Sequence, residues 1–289
     1  MITSWNVNGF FGISHYTEFQ PKKGDCEEVK IQKKIAGNKH QKEILEKLKN
    51  QIEQYMENCD LLLLSEIPHK DYEELYNDFR EFCNDKNWKF IDNLYSGSAN
   101  IETVAICKED ADYERCYDDD VVKLEFGSYR NRVIALRKKS EPTEIIVGVH
   151  IPINKSIDYW NSLILTHRKI MKNNPEYRFI YIGDMNTYKD GTVNKMKLTE
   201  FMDEGLKDFW LESGHKHDAE AYPDATTYVH NGINERLDYV LVTGKDFDKL
   251  NKKYDMTVDH TVRVNGLSDH SAIIMKEKTP ETKKTGELK

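Results

Sequence analysis

At 289 residues, 38% hydrophobic and 32% charged, the chain is long for an average domain but fits one large two-layered α/β domain. Its formal net charge of −8 at pH 7 argues against a protein that coats nucleic acid by bulk charge, because phosphate contacts draw on Lys and Arg. An enzyme with a local basic track beside an acidic metal site is compatible with that charge. The longest apolar runs fall far short of the roughly 20 residues of a membrane span. No basic region and apolar stretch signals secretion, and five cysteines without a CxxC pair argue against structural zinc and a disulfide framework. Reduced thiols, a cytoplasmic location and no membrane partner are the expectation.

In chain order, "SWNVNGF" (residues 4–10) reads as a first strand whose Trp5, Val7 and Phe10 suit a core. On a strand Asn6 and Asn8 share a face. Such amides either bond the backbone of a strand end or turn, or line a polar site. Residues 11–40 carry little hydrophobic period and several turn-formers, which predicts a long loop or insertion. From Lys42 to Met56, Ile44, Leu45, Leu48, Ile52, Tyr55 and Met56 recur at helical spacing. "DLLLLSE" predicts a buried strand ending on Glu66, and a helix is predicted over 70–83. The strand-like segments "WKFIDNLY", "ETVAICK", "VVKLEF", "NRVIALRK" and "EIIVGVHIP" follow, then a helix over 157–172, the strand "RFIYIGDMN" and a helix over 193–204. A polar stretch from Glu212 to Glu235 precedes the strands "RLDYVLV" and "HSAIIMK". With no repeat or linker, the pattern predicts one domain over residues 1–276 with two packed sheets and helices outside, then a charged, frayed tail over 277–289.

Polar residues recur where the apolar strands end. Glu66 follows four leucines and is either an exposed terminus or an oxygen ligand of the kind magnesium takes. Asp184 and Asn186 lie two apart in "YIGDMNT", after Gly183, which permits close backbone approach. Asp238 sits inside an apolar strand and needs a partner, since an unpaired buried charge is costly. Arg236 on the same face or a histidine in need of orienting could be that partner. "GLSDHSAI" supplies Asp269 and His270, and "VGVHIP" ends a strand on His150.

Taken in order, "SWNVNG", "LLLLSE", "VGVHIP", "IGDMN", "RLDYVLV" and "GLSDH" resemble the motif series of the endonuclease/exonuclease/phosphatase superfamily, also called DNase I-like, over nearly the whole chain. The resemblance implies a four-layer α/β sandwich: two mostly antiparallel β-sheets packed face to face, helices outside, and the site at one sheet edge. By motif, Glu66 is similar to the principal magnesium ligand, with Asn8 and Asp269 giving that ion supporting contacts. Asp184 matches the residue that orients and activates the attacking water, and Asn6 and Asn186 match amides that hold the phosphate and fix the nucleophile. Asp238 matches the carboxylate that orients His270, which contacts the phosphate. His150 matches a histidine that helps protonate the leaving oxygen.

The implied activity is magnesium-dependent hydrolysis of phosphodiester bonds, with manganese as a substitute, on nucleic acid, DNA ahead of RNA. A phosphatase or phosphodiesterase for a small or lipid phosphate is the alternative enzyme, and a non-catalytic binding module of the same fold is a third reading. The motifs look closest to the exonuclease III and apurinic-endonuclease branch. That branch carries tyrosine where this chain has His150 and glutamine where it has Ser65, so AP-site specificity is not carried over. Lys155, Arg168, Lys189 and Lys195 lie near the motif segments and could meet a nucleic-acid backbone, while His215 and His217 read as a solvated loop or a metal pair.

Overall fold

The computed structural model describes residues 1–14, 16–69, 73–92, 100–116, 131–154, 156–188, 192–216, 223–230 and 232–278. Strands β1 (Ile2–Asn6), β2 (Leu61–Pro68), β3 (Trp88–Ile91), β4 (Ile101–Lys108), β13 (Tyr254–Asp259) and β14 (Ala272–Glu277) form a six-stranded sheet in the order β13-β14-β1-β2-β4-β3. A second six-stranded sheet runs β5-β6-β7-β8-β12-β9, built from β5 (Tyr113–Arg115), β6 (Val133–Lys138), β7 (Glu141–His150), β8 (Arg178–Asp184), β9 (Leu206–Asp208) and β12 (Asp238–Thr243). A hairpin of β10 (Tyr228–His230) and β11 (Ile233–Glu235) stands apart. Within the two sheets only β1–β2 and β7–β8 pair in parallel; the other pairs are antiparallel.

Strand alternation sorts the apolar side chains into three cores and so produces four layers. In "LLLL", Leu61 and Leu63 enter the core between the sheets, while Leu62 and Leu64 face the helices α1 (Glu27–Asn58) and α2 (Glu73–Asp85). On β8, Ile180 and Ile182 point between the sheets. Phe179 and Tyr181 meet α3 (Ser156–Asn173) and α4 (Val193–Asp203) on the other side. Strands β2 and β8 are therefore apolar on both faces over most of their length, which is why they read as unbroken runs. The architecture is a four-layer α/β sandwich. Among the described residues no helix is long and apolar enough to cross a membrane.

Two expectations change. Helix α1 begins at Glu27, so residues 27–40 are helical and not loop. The pattern concealed this because the first turns bury little: Ile31 and Ile35 are exposed, and the buried positions there are Gly37 and Gln41. Gly37 lets Phe19 approach, since a Cβ at that position would stand 3.1 Å from the Phe19 Cβ. The first strand ends at Asn6, and the chain then turns, so Asn6 and Asn8 are not two positions of one strand. Strands β5, β9, β10, β11 and β13 were not expected, the first four being three residues long. The expected strand "VVKLEF" and most of the tail lie outside the described residues.

His167 on α3 is buried among Phe179, Tyr181 and Phe201, with its Nδ1 3.0 Å from the Tyr181 hydroxyl. Burial pushes its pKa from 6.5 down to about 4, against the pull of Glu204. The unfolded chain therefore takes up this proton first, so the stabilisation is complete above pH 6.5 and is lost as pH falls toward 4. The full effect is roughly 3 kcal/mol. Urea midpoints measured from pH 7 to pH 4 should fall with acid, and less steeply in His167→Gln, which cannot titrate.

Candidate active site

Strand register alone assembles half of the site. Parallel pairing of β7 with β8 sets His150 beside Asp184, and antiparallel pairing of β8 with β12 sets Asp238 on the other side of Asp184. Gly183 makes this row possible. Its φ is +137°, and a Cβ there would lie 2.2 Å from the Val149 carbonyl oxygen of the neighbouring strand. In the other sheet Asn6, the last residue of β1, lies opposite Ser65, and the next residue, Glu66, takes φ +59° where the β2–β4 pairing slips between Leu64 and Ile67; β2 does not end on Glu66 as expected but runs on to Pro68. That irregularity leaves the Glu66 side chain about a quarter exposed (24%) inside a strand whose neighbouring residues are buried.

The side chains converge across the two sheets. Asn6 Nδ2 donates to Glu66 Oε1 at 3.1 Å and to Asp184 Oδ2 at 3.0 Å. Asp184 also accepts from the Asn186 backbone N–H at 2.8 Å and from its Nδ2 at 3.1 Å, while that same amide donates to the Ile151 carbonyl. His270 Nδ1 lies 2.8 Å from Asp238 Oδ2, and its Nε2 is 3.8 Å from Asp184 Oδ2. His150 Nε2 is 3.1 Å from Glu66 Oε1 and 3.8 Å from Asp184, with Arg132 2.9 Å from its Nδ1. The same Arg132 nitrogen lies 3.2 Å from His150 Nε2, so the guanidinium sits against the edge of the ring that carries both nitrogens.

These environments push neighbouring groups apart in pKa. Burial raises Asp184, helped by the Asp238 and Glu66 charges and opposed by His270. Burial would also raise Glu66, but His150, Asn6 and His270 outweigh it and hold the carboxyl at about 2. Burial would lower His270, yet Asp238 and Asp184 raise it, so its ring is an imidazolium at neutral pH. His150 is lowered, by burial and then by Arg132, and is neutral. Burial raises Asp269 as well. A charged acid, a proton-accepting acid, an imidazolium and a neutral imidazole thus share one place, a division of labour expected of acid–base sites.

A cleft of about 640 Å³ opens over this cluster, lined by Asn8, Glu66, His150, Asp184, Asn186, Asp269 and His270 together with Phe11, Gln41, Arg132, Tyr188 and Tyr228. Among the described residues two triads offer ligand atoms within 4.8 Å of one another: Glu66–His150–Asp184 and Asp184–Asp238–His270. The second is closed by its own Asp238–His270 bond, whereas the first opens on the cleft through Glu66, so the oxygen donors there suit a cation better.

A family model described as the endonuclease/exonuclease/phosphatase family matches residues 3–270. The chain belongs to this family. Among curated proteins there is no significant match. Solved structures with a similar fold include the Neisseria 3′ phosphatase NExo bound to a product DNA hairpin, at 16% identity and a TM-score of 0.57, covering 96% of this chain and 99% of that one. A humanised D. rerio TDP2 gives 15% identity, a TM-score of 0.56 and coverage of 96% and 98%. A family member from Leptotrichia buccalis gives 16%, 0.53, and coverage of 96% and 99%.

Several positions picked out in the sequence end up elsewhere. Arg236 is not the partner of Asp238: its guanidinium bonds both oxygens of Asp208, at 2.7 and 2.8 Å, and Asp238 pairs with His270. Leu237 and Asp238 are instead held by the Thr227 hydroxyl, which accepts from both backbone N–H groups. Asn8 lines the cleft, with its Nδ2 donating to the Gly12 and Ser14 carbonyls and its backbone N–H to Asn6 Oδ1. Arg168 pairs with Glu204 on the outer helices, Lys195 lies over the Tyr239 ring, and His215 stacks on Trp210. Lys155, Lys189 and His217 lie outside the described residues.

Sequence reasoning missed Arg132, Thr227 and Ser268. The last donates to the Asn6 carbonyl at 2.6 Å and accepts the His270 N–H at 3.0 Å. Only its place in "GLSDH" could have pointed to it.

If Asp238 holds His270 charged, Asp238→Asn should lower the His270 pKa by at least about one unit, as for loss of an adjacent opposite charge. Arg236→Met should leave it in place. Imidazole NMR signals followed against pH would read both, and an equal shift in the two variants would contradict the pairing.

Proposed function

We propose that the chain is a magnesium-dependent phosphodiesterase acting on nucleic acid, DNA ahead of RNA, with manganese able to replace magnesium. One observation carries this reading: Glu66 and Asp184, from different sheets, are tied to one amide of Asn6 at the floor of an open cleft, with an imidazolium 3.8 Å away. The five cysteines, all free, fit a reducing compartment such as the cytoplasm.

Glu66, with Asp184 near it and Asp269 on the same cleft wall, would hold the ion; bound there, it would neutralise charge on a phosphate and polarise its oxygens. The protein's own residues do the rest. Asp184, raised in pKa and fixed by Asn186 and Asn6, is built to take a proton from a water at its carboxylate. His270, held charged by Asp238, offers an Nε2–H donor where negative charge grows on the phosphoryl oxygens. His150 fits the role implied by its motif less well. A neutral ring bonded to Glu66 has no spare proton to give, so it orients Arg132, whose guanidinium faces the cleft as a donor to the leaving oxygen.

A second reading, hydrolysis of a phosphate monoester at a nucleic-acid end or on a small molecule, has support in the cleft volume. About 640 Å³ suits one nucleotide-sized group. The structural neighbour named as a 3′ phosphatase is consistent with it.

Purified protein stripped of metal should hydrolyse nothing, and magnesium or manganese should restore turnover. Asp184→Asn should lose at least about 10²-fold in turnover, the lower range for a positioned base, while its DNA affinity is kept and weakens with salt. Plasmid, single-stranded DNA, RNA and a small phosphate ester run in parallel separate the readings. Activity in metal-free protein would overturn the mechanism, and binding without hydrolysis of any substrate would favour the binding module.

A further inference from the structure

The turn that follows β1 is left-handed at three successive residues: φ is +46° at Asn8, +58° at Gly9 and +64° at Phe10. Only the glycine adopts that conformation freely, and a bulky residue such as Phe10 does so only where its surroundings compel it. The surroundings are on view. The Phe10 ring is fully buried and meets Phe79 edge-on at 5.7 Å, and Asn8 staples the loop ahead through the Gly12 and Ser14 carbonyls. The remaining braces come from α1. Gln41, only 3% exposed, donates to the Gly9 carbonyl at 2.7 Å, and His40 Nε2 lies 3.0 Å from the Phe11 carbonyl.

The turn matters because of what its first amide holds. The Asn8 N–H donates to Asn6 Oδ1 at 2.9 Å. A side-chain amide is planar, so fixing its oxygen fixes the direction of its nitrogen, and that nitrogen bonds Glu66 and Asp184. Gln41 also lines the cleft.

We infer that Gln41 is a positioning residue for the active site: by holding the left-handed turn at Gly9 it orients the Asn6 amide, and through it the Glu66–Asp184 pair. The front half of α1, with its mostly solvated first turns, then has a purpose. It carries the brace to the turn. The inference rests on the proposed metal-dependent reading of the same cleft, and it extends that reading to a residue without contact to the reacting groups. Residues that orient metal ligands typically change metal affinity by about 10- to 100-fold when removed.

The test uses the full chain and manganese as the probe. Gln41→Met keeps the length and removes the donor; Gln41→Lys keeps a donor within reach of Gly9. Manganese affinity is measured by titration calorimetry, and backbone hydrogen exchange is followed by mass spectrometry in peptides covering residues 7–14 and 178–184. Gln41→Met should bind manganese at least about tenfold more weakly and exchange faster over 7–14 but not over 178–184, and Gln41→Lys should restore slow exchange over 7–14. Unchanged affinity together with unchanged exchange would overturn the inference. So would exchange that rises equally in both segments, which would mark a residue serving stability alone. If the unaltered protein binds no manganese, the metal-dependent reading fails by itself, and the brace is then upheld or overturned by the exchange data.

Discussion

The site depends on one side-chain amide. Asn6 Nδ2 stands between a carboxylate of its own sheet and a carboxylate of the other, at 3.1 and 3.0 Å. Two such charges within about 6 Å repel by roughly 3 kcal/mol at an effective dielectric near 20, in a place where water is scarce. A shared donor relieves part of that repulsion, and the raised pKa of Asp184 relieves more by making its charge easier to neutralise. Together with the His150–Glu66 contact it joins the two sheets at the rim of an apolar core. The site is therefore a consequence of how the sheets meet at their strand ends.

Around that contact the charges are arranged in pairs that each leave one group useful. Asp238 stays with His270 and makes it a cation; burial, with Arg132 beside it, keeps His150 neutral. The Asp238–His270 pairing is anchored one step further out, Asp238 by the Thr227 hydroxyl and the His270 backbone by Ser268. Buried ionised groups are tolerable when their hydrogen bonds are complete. The Arg236–Asp208 pair shows the same rule with no chemistry attached: it is fully bonded, nearly as buried, and not among the groups that line the cleft.

Much of this was legible in the sequence, for physical reasons that can be named. Runs such as "LLLL" marked strands with two covered faces, and polar residues at their ends marked the site edge, because a strand end is where a side chain can leave the core. Asp184 and His150 were found this way and Asp238 as a charge inside an apolar run, although it opens β12, and register then put the three in one row. What was not legible came from contacts between distant segments. Arg236 and His270 were equally good partners for Asp238 on spacing alone, and only the closing of the chain decided between them. The start of α1 was hidden because its first turns bury little besides Gly37 and Gln41, and neither adds to a hydrophobic period. Short strands such as β9 and β10 are too brief to show alternation at all.

The two ends of the chain also explain why the site cannot be a local motif. β14 pairs with β1, Gly12 bridges to Ser268, and Tyr228 bridges to His270, so the segment before the last strand is laid between the first turn and the β10 hairpin. Ser268 then bonds the Asn6 carbonyl across 262 positions of sequence. A contact at that separation forms only once both sheets exist, because the loop-closure entropy it opposes must be offset by packing already in place. Asn6 is thus fixed from both sides, its side-chain oxygen by the turn that follows it and its backbone carbonyl by a hydroxyl from a segment far along the chain. Its orientation is a property of the completed fold.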